Sequence, residues 1–431
     1  MFESLRIRSF RYQWAADTFG TWASEMETLL LGWYVLVDTG SPFLVGLVGA
    51  LRFGGTLLAP LYGVLADRSD RKTLLITLRA VQAAMAGAIA VLAVSGALRP
   101  WHAFAIAGLG GLIRNGENVV RQSLLADGVP PGALLNAVGL SRITQDLAKI
   151  LGALAGAALL SRLGMGAAYG VVTAWYVVST VMVLGVMRTT RAARAPESAY
   201  ANLRSGVRYI WRSPPIKAIM FLAFLVNLTA FPLTNGLMPV VARDVFLGGP
   251  DVLALLLSAT SLGALAGSFA VVARRRLPRP ELTMTVCIVV WHLLLLTIAQ
   301  VGGASAANGR VFGVCLAVLA GYGAATSGSM VTMSAVLLET AASGFRGRVM
   351  GVRMLAVYGL PMGLLVGGAL SERIGILHTL TALGLSGLAL TAWAAARWPA
   401  LVRGQPEPSL GVPAPIATTA AYTPATPPKE A

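Results

Sequence analysis

Nine ionisable residues inside long apolar stretches of this chain stand out, and their chemistry needs explaining first. Glu25 and Glu27 lie in the first stretch and Arg52 in the second. Arg114, Glu117 and Arg121 lie in the fourth, and Arg142, Asp146 and Lys149 in the fifth. A charge in hydrocarbon is costly, so such residues face a partner or a water-filled cavity and mark ion or substrate paths. Four acids and five bases nearly balance, and all lie in the first half of the sequence. The second half offers only Asn227, His292 and Arg353 within its stretches, with Glu339 at the end of one. A polar half facing an apolar half suits an amphipathic ligand.

Spacing sorts these residues into faces. Thr18, Thr21, Glu25, Thr28 and Gly32 recur at helical spacing, which puts Glu25 on a small, polar stripe able to line a cavity. Glu27 lies about 200° around the same helix and is expected to meet the second or fifth span instead. Gly110, Arg114, Glu117 and Arg121 form another stripe, and Arg142, Asp146 and Lys149 are neighbours on one face. Two compatible readings stand. In one, these charges are satisfied ion pairs that hold the first, second, fourth and fifth helices together. In the other, an acid near a cation changes partner when protonated and couples transport to protons. Glu25 is the first candidate for that acid, then Glu27 and Glu117. Arg52, Arg114 and Asp146 complete the cavity candidates.

Other chemistries lack their residues. Lys72-Thr73 is preceded by Arg71 rather than Gly, so there is no phosphate-binding Walker loop. No nucleophilic triad or zinc spacing appears. His102, His292 and His378 lie on separate spans, with His292 expected to be a packed polar residue. Cys287 and Cys315 fall inside apolar spans and are expected to be free buried thiols. Glycine runs such as Gly108-Leu109-Gly110-Gly111 and Gly321-Tyr322-Gly323 let helices approach closely. No enzymatic activity, metal or cofactor is expected.

The elements that must position these residues follow from composition. Of 431 residues only 12% are charged, against about a quarter in soluble proteins, and 56% are hydrophobic. Mean hydropathy is +0.71. This is an all-α membrane protein with twelve apolar spans, near residues 13–37, 42–63, 73–95, 101–121, 137–160, 165–187, 216–241, 251–273, 282–302, 310–338, 349–371 and 376–397. The net charge of +16 comes from cations clustered in alternate turns, which points to membrane topology and not to nucleic acid. Arg6, Arg8 and Arg11, then Arg71 and Lys72, the linker arginines, Arg274 to Arg279, and Arg346 with Arg348 all fall on one side of twelve crossings. The other side has scattered Arg99, Arg162, Arg243, Arg310 and Arg373. Both termini are therefore expected in the cytoplasm, and no removable signal peptide is expected.

Four segments are expected: a six-helix half at 1–187, a cytoplasmic linker at 188–215, a second six-helix half at 216–397 and a disordered tail at 398–431. In the linker, Leu203, Val207, Ile210 and Trp211 share one helical face. Arg204, Arg208 and Arg212 share another, which suits an interfacial helix facing anionic headgroups. The halves repeat. Arg142, Gly152, Gly156, Arg162 and Gly164 recur as Arg353, Gly363, Gly367, Arg373 and Gly375, always 211 positions on. Parallel six-span repeats build one large transporter fold with its site between the halves.

The turn Gly63-Val64-Leu65-Ala66-Asp67-Arg68-Ser69-Asp70-Arg71-Lys72 resembles the signature of the major facilitator superfamily, Gly-x-Leu-Ala-Asp-Arg-x-Gly-Arg-Lys. Asp70 stands where that signature has Gly. Asp38 to Pro42 with Gly46 to Gly49, Arg121-Gln122, Asn136-Ala137-Val138 and Phe345 to Met350 resemble its bacterial exporter branch, which includes enterobactin exporters and transmembrane secretion effectors. The resemblance covers about residues 8–397. The branch's antiporter motif is present only as Gly152 and Gly156, without its proline. The resemblance implies that Asp67 pairs with the start of the eleventh helix, near Arg348, when the cytoplasmic side closes. Arg68, Arg71 and Lys72 would add switchable salt bridges and lipid contacts. Arg346, Arg348 and Arg353 are the candidates on the opposing half, since Ala273-Arg274-Arg275-Arg276 carries cations but no aspartate. The expected protein is a monomeric, proton-driven secondary transporter of the bacterial cytoplasmic membrane, exporting a small amphipathic molecule such as a drug-like compound or siderophore. An uptake transporter, or a non-transporting sensor or scaffold of the same fold, would share these features.

Overall fold

The computed structural model describes residues 3–58, 62, 65, 69–187, 199–274, 279–303, 309–342 and 345–403. Among them there is no strand. The N-terminal set comprises α1 (Arg8–Thr39), α2 (Pro42–Leu51), α3 (Arg71–Val94), α4 (Pro100–Gly128) and a stretch, Pro131–Val183, that breaks at Gly164 into α5 (131–163) and α6 (165–183). Next come the linker helix α7 (Ala199–Arg212) and α8 (Pro214–Thr229). The rest of the C-terminal set is α9 (Pro250–Ala273), α10 (Pro280–Gly303), α11 (Gly309–Thr340), α12 (Arg346–Ala356), α13 (Gly359–Ile374) and α14 (Ile376–Arg397). Over the described residues, the expected spans fall on one helix or on consecutive helical pieces, the second as far as Leu58. Among the described residues, eight helices are long and apolar enough to cross a membrane by length and composition. The charged residues of α1 and α4 keep them out of that group.

Local chemistry sets the boundaries. Proline opens α2, α4, α5, α8, α9 and α10, at the first turn, where a missing N–H costs nothing. Ser41 caps α2, its Oγ accepting from Leu44 N at 3.3 Å. Asp70 caps α3, accepting from Lys72 N at 3.3 Å and from Thr73 Oγ at 2.7 Å. Its φ is −63°, so this turn needs no left-handed residue there, and the aspartate in place of Gly is explained as a helix cap.

Three spans expected to be continuous are not. The second stops as α-helix at Leu51 and continues as a 3-10 turn, Gly54–Leu58, where Gly55 meets the α4 backbone at Gly111 and Leu112. The seventh continues past α8 as wide π turns, Leu233–Leu237 and Val241–Val245, because Pro232 and Pro239 supply no N–H to the ladder. The eleventh divides between α12 and α13, where Pro361 cannot donate to the Val357 carbonyl.

The repeat reappears as backbone geometry. Gly164 has φ 78° and ψ 178°, and Gly375 has φ 80° and ψ 160°, a region open in practice only to glycine. Each reverses the chain within one residue. Contacts with α1 establish the reversal at Gly164. Trp14 pairs with Thr144, and Gly152 packs on Glu25, so α5 runs parallel to α1. Tyr176 then meets Glu27, Ser179 donates to Ala16 O at 2.7 Å, and Met187 N donates to Ser9 Oγ, so α6 runs back. The paired glycines also pack alike. Gly152 and Gly156 lie against α1, and Gly363 and Gly367 lie against the seventh span at Pro232 and Leu237.

Candidate functional site

A cavity of about 300 Å³ lies between the two sets of helices. Its N-terminal wall carries Glu25, Arg52, Arg114, Asp146 and Lys149. Its C-terminal wall is made of Phe231, Asn235, Met238, Leu257, Thr260 and Thr326, with no formal charge. The π turns of the seventh span place Phe231, Thr234, Asn235 and Met238 there. Four of the six cavity candidates therefore meet at one surface, and two do not.

Glu25 forms no hydrogen bond or ion pair with any described residue. It is held by α1, with Gly152 of α5 packed closely on its Cβ. Thr28 and Gly32 line the cavity beside it as the stripe predicts, although the Thr18, Thr21 and Thr28 hydroxyls bond back to carbonyls four residues earlier. Arg52 Nη2 approaches the Ser24 carbonyl at 3.5 Å, while its buried Nη1 has no partner. Asp146 accepts from Lys149 at 3.4 Å.

Glu27 points elsewhere. Its Oε2 accepts from the Tyr176 hydroxyl of α6 at 3.1 Å, so it meets the sixth span and not the second or fifth. The 200° offset turned it away from Glu25, but pitch alone could not say which neighbour lay on that side. Glu117 belongs to a second polar chamber of about 160 Å³, lined by the N-terminal set alone. There Arg79 of α3 donates to Asp17 Oδ1 at 2.5 Å through Nη2 and to Glu117 Oε1 at 2.9 Å through Nε. Arg121 Nη1 lies 3.6 Å from Asp17 Oδ2, and with the Gln145 amide turned to satisfy both its atoms, the Gln145 oxygen accepts from the same guanidinium at 3.2 Å. Glu25, Arg114 and Lys149 border both spaces.

Asp17 and Arg79 were missed by the sequence reading, although both lie inside apolar spans. The signal was depth. The helices that carry them both start on the basic side, and at ~1.5 Å per residue the two residues sit roughly 12–14 Å in.

The two sets touch across the ends of the spans away from the basic turns. Ser41 Oγ donates to Glu372 Oε1 at 3.0 Å, and Ser161 Oγ donates to Asp251 Oδ1 at 3.3 Å. Arg243, in the second π turn, donates to Leu36 O at 2.9 Å and Gly40 O at 3.4 Å, clamping the C-terminal end of α1. Gly46 and Gly368 let α2 and α13 meet backbone to backbone.

Of the gate candidates, Gly63, Asp67 and Arg68 lie outside the described residues, as do the side chains of Arg142 and Arg346. Lys72 Nζ donates to Leu184 O at 2.6 Å, tying α3 to the end of α6. Arg348 lies over the Phe345 ring at 5.1 Å, and that ring stacks on Tyr209 of α7 at 4.4 Å. Arg353 donates to Ser334 Oγ of α11 at 2.6 Å. These arginines therefore bind the linker and α11. His292 is fully buried between Thr229 Oγ and Ile288 O, both at 2.8 Å, as a packed polar residue. Both cysteines are free.

A family model for transmembrane secretion effectors matches residues 1–417. Macrolide efflux protein A of Streptococcus pyogenes is 21% identical over 372 residues, covering 85% of this chain and 90% of that protein. Multidrug efflux pump Tap of Mycolicibacterium fortuitum is 25% identical over 378 residues, covering 83% and 88%. Among solved structures, a bacterial homologue of the human lysosomal transporter Spinster superposes with a TM-score of 0.71 at 13% identity, covering 94% of this chain and 100% of that one. The nucleoside transporter NupG superposes with a TM-score of 0.70 at 12% identity, covering 92% and 99%. A two-walled cavity between two glycine-hinged sets of helices, in a chain matched almost end to end, makes this protein a major facilitator transporter of the transmembrane secretion effector family.

Proposed function

We propose that the chain is a proton-driven exporter of small amphipathic molecules in the bacterial cytoplasmic membrane, working by alternating access as a monomer. One observation carries the proposal. The cavity between the helix sets has a charged wall with the unpartnered Glu25 and an opposing wall that is apolar or hydroxylated. A two-faced ligand fits such walls. A carboxylate that is uncommitted and open to the cavity can hold a proton or a substrate cation, but not both, and that exclusion is what exchange requires. The similarity to macrolide and multidrug efflux proteins supports the export direction. The contacts between the sets at one end of the spans support a conformation closed on that side. The basic turns support cytoplasmic termini with anionic headgroups beside them, and on that orientation the closed side is the external one. The functional division is 1–187 and 216–397, with residues 188–215 as linker; the expected disordered tail at 398–431 is corrected at its start, where Ala400–Arg403 is helical and Thr285 Oγ donates to Leu401 O at 3.2 Å, while 404–431 lies outside the described residues.

Erythromycin, a macrolide, is the first probe. Inside-out vesicles carrying the protein accumulate it when the lumen is acidified, and Glu25→Gln lowers that accumulation at least roughly tenfold while leaving gradient-free exchange in place. Accumulation that ignores the pH gradient, or that survives in Glu25→Gln, removes the coupling assignment. Uptake into right-side-out vesicles under external acid reverses the direction.

A further inference from the structure

We infer that the polar chamber within the N-terminal set is a second proton site, with Glu117 carrying the proton, and that it forms the route by which a proton leaves Glu25 for the basic side of the membrane. This rests on the proton-coupled reading of Glu25.

The first support is composition. Glu117 and Asp17 share one guanidinium, that of Arg79, which is 1% exposed. The two acids are not held alike. Asp17 has a cation on each oxygen, Arg79 on Oδ1 and Arg121 on Oδ2. Glu117 is bound through Oε1 alone, by a single bond from Arg79 Nε. Protonating Glu117 therefore leaves Arg79 in place on Asp17, whereas protonating Asp17 would strip both arginines of their shared anchor.

The second support is independent of the acids. Two deeply buried polar atoms on α3 border the chamber without a hydrogen-bond partner: Arg79 Nη1, a donor, and Gln82 Oε1, an acceptor on a residue 7% exposed. A water lying between them would accept from the first and donate to the second. At about 30 Å³ per water, 160 Å³ holds a short file of them. The chamber is built to be wet, although its walls are helices of a membrane protein.

The third support is position. Glu25 borders both the chamber and the substrate cavity. Along α1 it lies about 12 Å farther from the basic side than Asp17 does, at ~1.5 Å per residue. Along α4, which runs the opposite way, Arg114, Glu117 and Arg121 descend toward that side in order. The charged groups facing Glu117 are Asp17 and Glu25 from α1, Arg79 from α3, Arg114 and Arg121 from its own helix, and Lys149 from α5. Gln145 of α5 and Tyr176 of α6 also line the chamber. A proton taken by Glu25 from the substrate cavity passes through chamber water to the free oxygen of Glu117. It then leaves as hydronium to bulk water, and both carboxylates return to their starting charge.

Infrared difference spectra test this without any substrate. The full-length protein in lipid nanodiscs is compared between acid and alkaline pH. Glu117→Gln keeps shape and an acceptor for Arg79 Nε, so size-exclusion behaviour is expected to be unchanged. The expected result is that it removes one carboxylic-acid C=O band that Glu25→Gln leaves intact. If Glu117→Gln removes no band, the chamber proposal is overturned, whatever Glu25→Gln does. If Glu117→Gln removes a band and Glu25→Gln removes none, the chamber is a proton site but the Glu25 reading fails, and with it the route proposed here.

Discussion

Arg79 is the residue on which the buried charge of the N-terminal set depends, because it alone reaches both Asp17 and Glu117. Breaking a buried pair by removing one partner costs far more than the pair's net worth, about 3–5 kcal/mol. Arg79→Met is therefore expected to lower unfolding stability in detergent by about that amount, and Asp17→Asn in the same chain to recover part of it. Equal losses in single and double variants would mean that the ion pair is not what holds these helices. The same residue shows what a sequence gives and withholds. Glu25, Arg52, Arg114 and Asp146 were legible as cavity residues because helical pitch and intramembrane charge both marked them. Arg79 was equally legible by depth, which shows only when spans are aligned by their basic ends. The partner of Glu27 was not legible at all. A helical wheel gives a direction, and only packing shows that Tyr176 lies there.

At the scale of elements, the two chain reversals at Gly164 and Gly375 are the clearest case of sequence becoming geometry. Their 211-residue spacing was visible, but spacing cannot reveal that both hold a positive φ with an extended ψ. A side chain in that region costs about 1–3 kcal/mol, so Gly164→Ala and Gly375→Ala are each expected to lower the thermal unfolding midpoint. Gly170→Ala, in an ordinary helical turn with open space around it, is expected to leave the midpoint unchanged or raise it. A comparable loss at all three positions would show that helix packing and not backbone conformation makes these glycines necessary. The broken seventh span was half legible. Pro232 and Pro239 stood in the sequence unread as an interruption, and only the structure shows the π turns that deliver Phe231 and Asn235 to the cavity.

For the whole molecule, the asymmetry between the two ends of the helix bundle is the working feature. Arg243 spans it, holding the end of α1 from the opposite set. A hydrogen bond to a charged group is worth about 1.5–3 kcal/mol, and losing even the lower value shifts a two-state population roughly tenfold. Arg243→Ala is thus expected to favour opening on that side. With Cys287 and Cys315 replaced by Ser, a cysteine at the cavity position Ser261 reports the change as a roughly tenfold faster reaction with an impermeant maleimide added outside intact cells. An unchanged rate would mean that Ser41–Glu372 and the α2–α13 contact close the molecule without Arg243.

The uneven distribution of charge also bears on how the protein is made. The ribosome delivers α1 first, carrying Asp17, Glu25 and Glu27 into a bilayer where an acid at mid-helix costs about 2.5–3.5 kcal/mol on insertion scales. The arginine that neutralises Asp17 follows 62 residues later, roughly 3–12 s at ordinary elongation rates. For that interval α1 is a poor membrane helix waiting for its counter-charge. Its stable entry into the bilayer is an assembly step with α3 and α4, not an insertion of its own. The C-terminal set, apolar along its helices, has no such debt, so the charged half of this transporter is the half whose biogenesis depends on order.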